Sequence, residues 1–189
     1  MLILSLTAVL TAWSGFEASK WGGEMSIAFS QASSARIQAS AAQSEAQAAR
    51  QYDLSIYTEW VLAQERGDED LSRFIEERFS EEFAVAFDAW NDEGRTADGP
   101  LAMAEYVPPG AVEAAELADR ADEKFAEALT NNQRGDDYSL LTVLFALVLF
   151  FAALSQSQRG AWRRHVFLGL SFALGLIGLV VLFTFPIKV

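Results

Sequence analysis

The stretch WGGEMSIAFSQASSARIQASAAQSEAQAARQYDLSIYTEWVLA, Trp21 to Ala63, decides how the chain is read. Alternate steps of four and three from Trp21 reach Met25, Ala28, Ala32, Ala35, Ala39, Ala42, Ala46, Ala49, Asp53, Ile56, Trp60 and Ala63. Eight of these 13 positions are alanine, and only Ala41 and Ala48 fall elsewhere in the window. A sustained 3-4 spacing draws one narrow stripe down a helix, the pattern of a coiled-coil seam. Alanine there leaves little side chain between partners, so a neighbouring helix can come close. Ala28, Ala32, Ala35, Ala39, Ala42, Ala46 and Ala49 are therefore the candidate interface, facing copies of the chain or other membrane subunits.

The segment from Glu24 to about Glu65 holds neither proline nor glycine, and as a helix it is ~60 Å long at ~1.5 Å per residue. Before it, Leu2 to Phe16 is uncharged and mostly apolar, without the basic start or the small-x-small site of a cleaved leader. Residues 1–16 read as a retained transmembrane helix, with Trp13, Phe16 and Trp21 near the headgroup level. Gly15 and the pair Gly22-Gly23 suggest a slight bend at its exit.

After the seam, Gly67 and Asp68 close one helix and cap the next. Leu71, Ile75, Phe79, Phe83, Phe87 and Trp90 then predict an amphipathic helix over about 69–91, with Glu76, Glu77, Glu81 and Glu82 on its wet side. Asp92 to Gly110 is a loop carrying three of the four prolines, with one turn expected around Leu101 to Glu105. A third helix is expected over about 111–131, turning Ala114, Leu117, Ala118, Ala121, Phe125, Ala128 and Leu129 inward and ending at Asn131-Asn132 and Gly135. Residues 138–154 and 166–185 are two further apolar spans. In the second of them, Ser171, Gly175 and Gly178 offer a small face for membrane packing.

Charge gives this order a direction. All 26 acidic residues lie between Glu17 and Asp137, against ten basic ones there. The loop 155–165 carries Arg159, Arg163, Arg164 and His165 and no acid, which places it in the cytoplasm. The acidic region 17–137 is then extracytoplasmic. The expected fold class is an all-α membrane protein: three transmembrane helices and a large helical coiled-coil or bundle domain outside the bilayer.

Little points to chemistry. An acidic surface repels nucleic acid. With no cysteine there is no disulfide or thiolate site, and the single histidine, His165, reads as a surface residue of a basic loop. Asp68-Glu69-Asp70, Glu76-Glu77 and Glu81-Glu82 lack the spacing and glycine of a calcium loop and read as solvated helix faces. No catalytic residue, cofactor or metal is expected. The tract Tyr106-Val107-Pro108-Pro109 reads as a loop covering the top of the bundle.

The motif TAWSGFEASKW, Thr11 to Trp21, followed by the alanine- and glutamine-rich helix, the acidic bundle and the final pair of spans, resembles bacterial inner-membrane proteins of this layout that have no assigned activity. The resemblance implies location and shape, and no catalytic role. The expected function is that of a structural or accessory membrane protein, not an enzyme, assembling through its seam as a homo-oligomer or a subunit of a larger complex. The alternative is a passive conduit lined by Ser5, Thr7 and Thr11 below a cation-attracting acidic vestibule.

Overall fold

The computed structural model describes residues 2–188 and is all-helical, with no strand among the described residues. Among the described residues five helices follow in order: α1 (Leu2–Glu65), α2 (Glu69–Glu76), α3 (Glu81–Asp92), α4 (Ala111–Ser157) and α5 (Ala161–Leu182). A short 3-10 turn, Pro100–Ala102, interrupts the loop before α4. Two compact units divide the chain: Met1–Gln31 with Glu123–Val189, and Ala32–Asp122. Both α1 and α4 contribute to each.

In the second unit α1 and α4 are antiparallel. Arg36 of α1 is ion-paired with Asp122 of α4, while Ala42, further along α1, meets Gly110 at the start of α4. A hydrophobic core gathers where α2 and α3 fold back on α1. Trp60, Ala63, Ile75, Phe83, Ala86, Phe87, Trp90, Met103 and Tyr106 are buried together.

The helix expected over 69–91 is two helices, broken at residues 77–80. The reason lies in its spacing. Steps of four advance ~400° on a helix of 3.6 residues per turn, so a strict row of four drifts ~40° per step. From Leu71 to Phe87 the row would swing almost to the opposite side of a straight helix. The break resets it: Ile75, Phe83 and Phe87 stay buried, while Leu71 and Phe74 are exposed. Each half has its own cap, Asp68 accepting from the Leu71 amide and Ser80 from the Phe83 amide.

The third expected helix does not stop at residue 131. It is the first half of α4, which continues to Ser157. The residues read as a stop are absorbed by their neighbours. Asn131 is buried, Asn132 and Gln133 donate to Asp136 and Asp137 one turn on, and Gly135 sits against Ala18 and Trp21. Of the residues expected inward, Ala114, Ala121 and Ala128 are buried, but Ala118, Phe125 and Leu129 are exposed. Likewise Gly15, Gly22 and Gly23 lie inside α1, which runs through them unbroken.

In the first unit α1 and α4 are again antiparallel: Gly135 lies by Ala18 and Trp21, and Phe125 is edge-on to Phe29 at 5.5 Å. Helix α5 packs on α4. α4 and α5 are the helices long and apolar enough to cross a membrane, and only 33% and 11% of their apolar windows are buried by protein. A core helix of a water-soluble domain would be mostly covered. Here the apolar faces point outward, with Val143, Phe150, Phe172 and Val180 all more than half exposed.

Gly110 is the tightest joint in the second unit. Its φ is +80°, and a Cβ there would lie 2.6 Å from the Ala42 carbonyl oxygen. Gly110→Ala is expected to lower stability by about 1–3 kcal/mol through backbone strain alone, with the clash adding to it. Thermal unfolding followed by far-UV circular dichroism checks this.

Candidate functional site

The seam came first from the sequence, and its fate decides what the chain can offer a partner. In the second unit Ala32, Ala35, Ala39, Ala42 and Ala46 are only 5–8% exposed within a single chain, and Ala49 is half-buried. Ala114 and Ala121 of α4 are buried in the same unit. In the first unit Ala28 of α1 and Ala128 of α4 are buried too. Alanine on both helices leaves their backbones free to approach closely. The row expected to face another subunit therefore has a neighbour in its own chain. Within one chain the row is already covered, by the part of α4 expected over 111–131, which holds Ala114, Ala121 and Ala128.

The hub of the second unit is organised around Asp53, a seam position with 0% exposure. Its two oxygens are separately engaged: the Ser80 hydroxyl donates to Oδ1 at 2.7 Å and the Tyr106 hydroxyl to Oδ2 at 2.8 Å. One carboxylate thus ties α1 to the N-cap of α3 and to the loop before α4. Around it Tyr57, Trp60, Phe79, Phe83 and Phe87 meet mostly edge to face. The indole N–H groups are satisfied, Trp60 by Glu76 and Trp90 by the Ala97 carbonyl. Burial, followed by the hydrogen bond to Asp53 and its charge, holds the Tyr106 phenol well above the usual tyrosine range, with Arg50 opposing. Burial likewise raises Tyr57, with Arg95 opposing.

The first unit holds a polar group that the sequence reading passed over. Ser14 and Glu17 are wholly buried and Trp21 is 5% exposed. Glu17 Oε2 accepts from the Lys188 backbone N–H at 2.9 Å, while Glu17 Oε1, Ser14 Oγ and Trp21 Nε1 have no protein partner. Lys188 Nζ lies 3.3 Å from Glu24 and 5.5 Å from the Trp21 ring; the Arg134 guanidinium lies 4.6 Å from that ring. The Tyr138 hydroxyl donates to the Pro186 carbonyl, so the residues after α5 are fastened at two points. The signal was available. Continued backwards from Trp21, the alternate steps give Ala18 and Ser14, so the seam reaches Ser14, with Glu17 one residue off it.

On α5 the small face is turned to α4. The Ser171 hydroxyl donates to the Val148 carbonyl at 3.1 Å, Gly175 faces Val148, and a Cβ on Gly178 would come 2.8 Å from the Phe145 ring. In the hydroxyl row of α1, Ser5 is exposed, Thr7 is buried and Thr11 donates to the Thr7 backbone carbonyl. His165 is exposed, its Nδ1 2.6 Å from the Ala161 carbonyl. No cluster of three or more His, Cys, Asp or Glu that could hold a metal occurs among the described residues. What the geometry offers throughout is cross-linking of helices by buried polar groups. Comparison with protein-family models, curated proteins and solved structures finds no match for this chain.

Asp53→Ala leaves two buried hydroxyls without their acceptor and is expected to cost about 2–5 kcal/mol, read as a shift in the denaturant midpoint of tryptophan fluorescence. Alkaline pH acts on the same junction. A phenol whose pKa is raised by folding contributes stability that is complete below the ordinary tyrosine pKa and is lost as pH rises beyond it. The melting temperature should therefore fall above about pH 10, and Tyr106→Phe should flatten that fall.

Proposed function

We propose that the protein is a non-enzymatic, structural or accessory component of a bacterial inner membrane. The observation that carries this reading is the separation of character along one chain. Two largely uncovered apolar helices, α4 and α5, are joined by a turn with basic residues only, whereas all 26 acids lie in residues 17–137. In this reading the N-terminal part of α1 is a third crossing, residues 17–137 are extracytoplasmic, and the α4–α5 turn is cytoplasmic.

The fold supports a stalk in the sense of a support, not a reactor. In the second unit α1 and α4 pair through rows of small residues, the spacing of an antiparallel coiled coil, while in the first unit their pairing takes in Trp21, Tyr138 and Phe145. Assembly with copies of itself or with other membrane subunits then uses outward surfaces, such as the exposed apolar faces of α4 and α5, and not the alanine row. The alternative, a conduit lined by Ser5, Thr7 and Thr11, is less favoured because Thr7 is buried and Thr11 bonds back to its own helix.

The natural absence of cysteine makes the topology directly testable. Single substitutions Asp98→Cys and Ser157→Cys are introduced in turn, and intact cells are treated with a membrane-impermeant maleimide. Labelling of Asp98→Cys, with Ser157→Cys labelled only after the membrane is opened, is the expected result. The reverse pattern overturns the orientation.

A further inference from the structure

The turn between α4 and α5 is the most one-sided surface of the molecule. From residue 138 onward the chain contains no Asp or Glu, yet Arg159, Arg163 and Arg164 fall within six residues. Among the described residues none of these arginines forms an ion pair. Arg159 and Arg163 line one concavity of about 470 Å³ together with Ser157, Gln158, Gly160 and Trp162. Trp162 is 78% exposed, the indole standing in the open beside the two guanidiniums. Arg164 lies outside that lining.

We propose that this concavity is a binding site for the phosphate headgroup of an anionic membrane lipid, held by Arg159 and Arg163 with Trp162 at the glycerol level. The inference rests on the membrane reading above. The turn joins the ends of two apolar helices, so where those helices cross a bilayer the turn sits at the headgroups. Two unpaired guanidiniums facing one space match a phosphate, because each presents a planar fork of donors to its oxygens. Uncompensated arginines near an anionic leaflet each contribute appreciably to attraction, and an exposed tryptophan is at home in the interfacial layer. The bare charge explains attraction to the surface; the shared concavity explains why two of the three arginines should matter more than the third.

The full-length protein, purified in detergent, is incubated with equimolar phosphatidylglycerol and phosphatidylcholine of identical chains, and retained lipid is counted by native mass spectrometry. Preferential retention of phosphatidylglycerol is expected, falling roughly fivefold for each of Arg159→Gln and Arg163→Gln. Arg164→Gln should change it less than about twofold, and the Arg159→Lys/Arg163→Lys pair should retain part of the preference because charge survives while the planar fork is lost. Far-UV circular dichroism establishes that each variant keeps its helix content. Equal retention of the two lipids overturns the proposal, as does an equal loss with Arg164→Gln, which would mean diffuse charge and no site. Displacement of the lipid by millimolar inorganic phosphate would also overturn it, identifying a free-anion site. A protein that stays in carbonate-washed membranes but shows no lipid preference sinks this proposal alone. One that leaves those membranes sinks the membrane reading itself.

Discussion

The close approach of α1 to α4 is the constraint on which the rest depends. Rows of alanine on both helices leave backbone almost against backbone, and that distance is available only where side chains are small. Gly110 shows how near the limit is, since even a methyl group there would strike the carbonyl of Ala42. In the second unit large side chains gather beyond the alanine row, where α2 and α3 cover them with an aromatic core. In the first unit, Trp21, Tyr138, Leu141 and Phe145 form a second buried cluster.

Much of this was legible in the chain. The 3-4 alanine spacing marked the buried face of α1 correctly from Ala28 to Ala46, because periodicity reports burial whatever does the burying. What it could not say was who the neighbour is. A helix over 111–131 in the same chain and a helix of another chain fit one alanine row equally well; separately, the sequence around Asn131, Asn132 and Gly135 argued for a stop that α4 does not make. Local propensity lost to tertiary context there: a buried asparagine and two side-chain pairs one turn apart outweigh the weak helix formers.

The opposite error occurred at residues 77–80, where a helix was expected and a break was found. The row of apolar residues at intervals of four looked continuous, but its drift around a helix was the clue to the break. The polar junctions were the least legible part. Asp53 was counted as an exception in a seam of alanines and Glu17 as an ordinary acid of the outer region. Their hydrogen-bond partners lie far away in sequence, at Ser80, Tyr106 and Lys188. No local pattern announces a contact between residues 17 and 188.

These two acids also solve a problem that the alanines create. A repeat of near-identical small residues is degenerate: sliding one helix past the other by seven positions would fit methyl groups into equivalent gaps at little cost. Buried hydrogen-bonding groups are not interchangeable in that way. Within its own unit, each carboxylate meets its donors in one alignment only, and any slip would strand it among apolar side chains. Asp53 thus acts as the notch of a ratchet, holding α1 in one setting against the loop that leads into α4, and Glu17 does the same for α1 against the residues that follow α5.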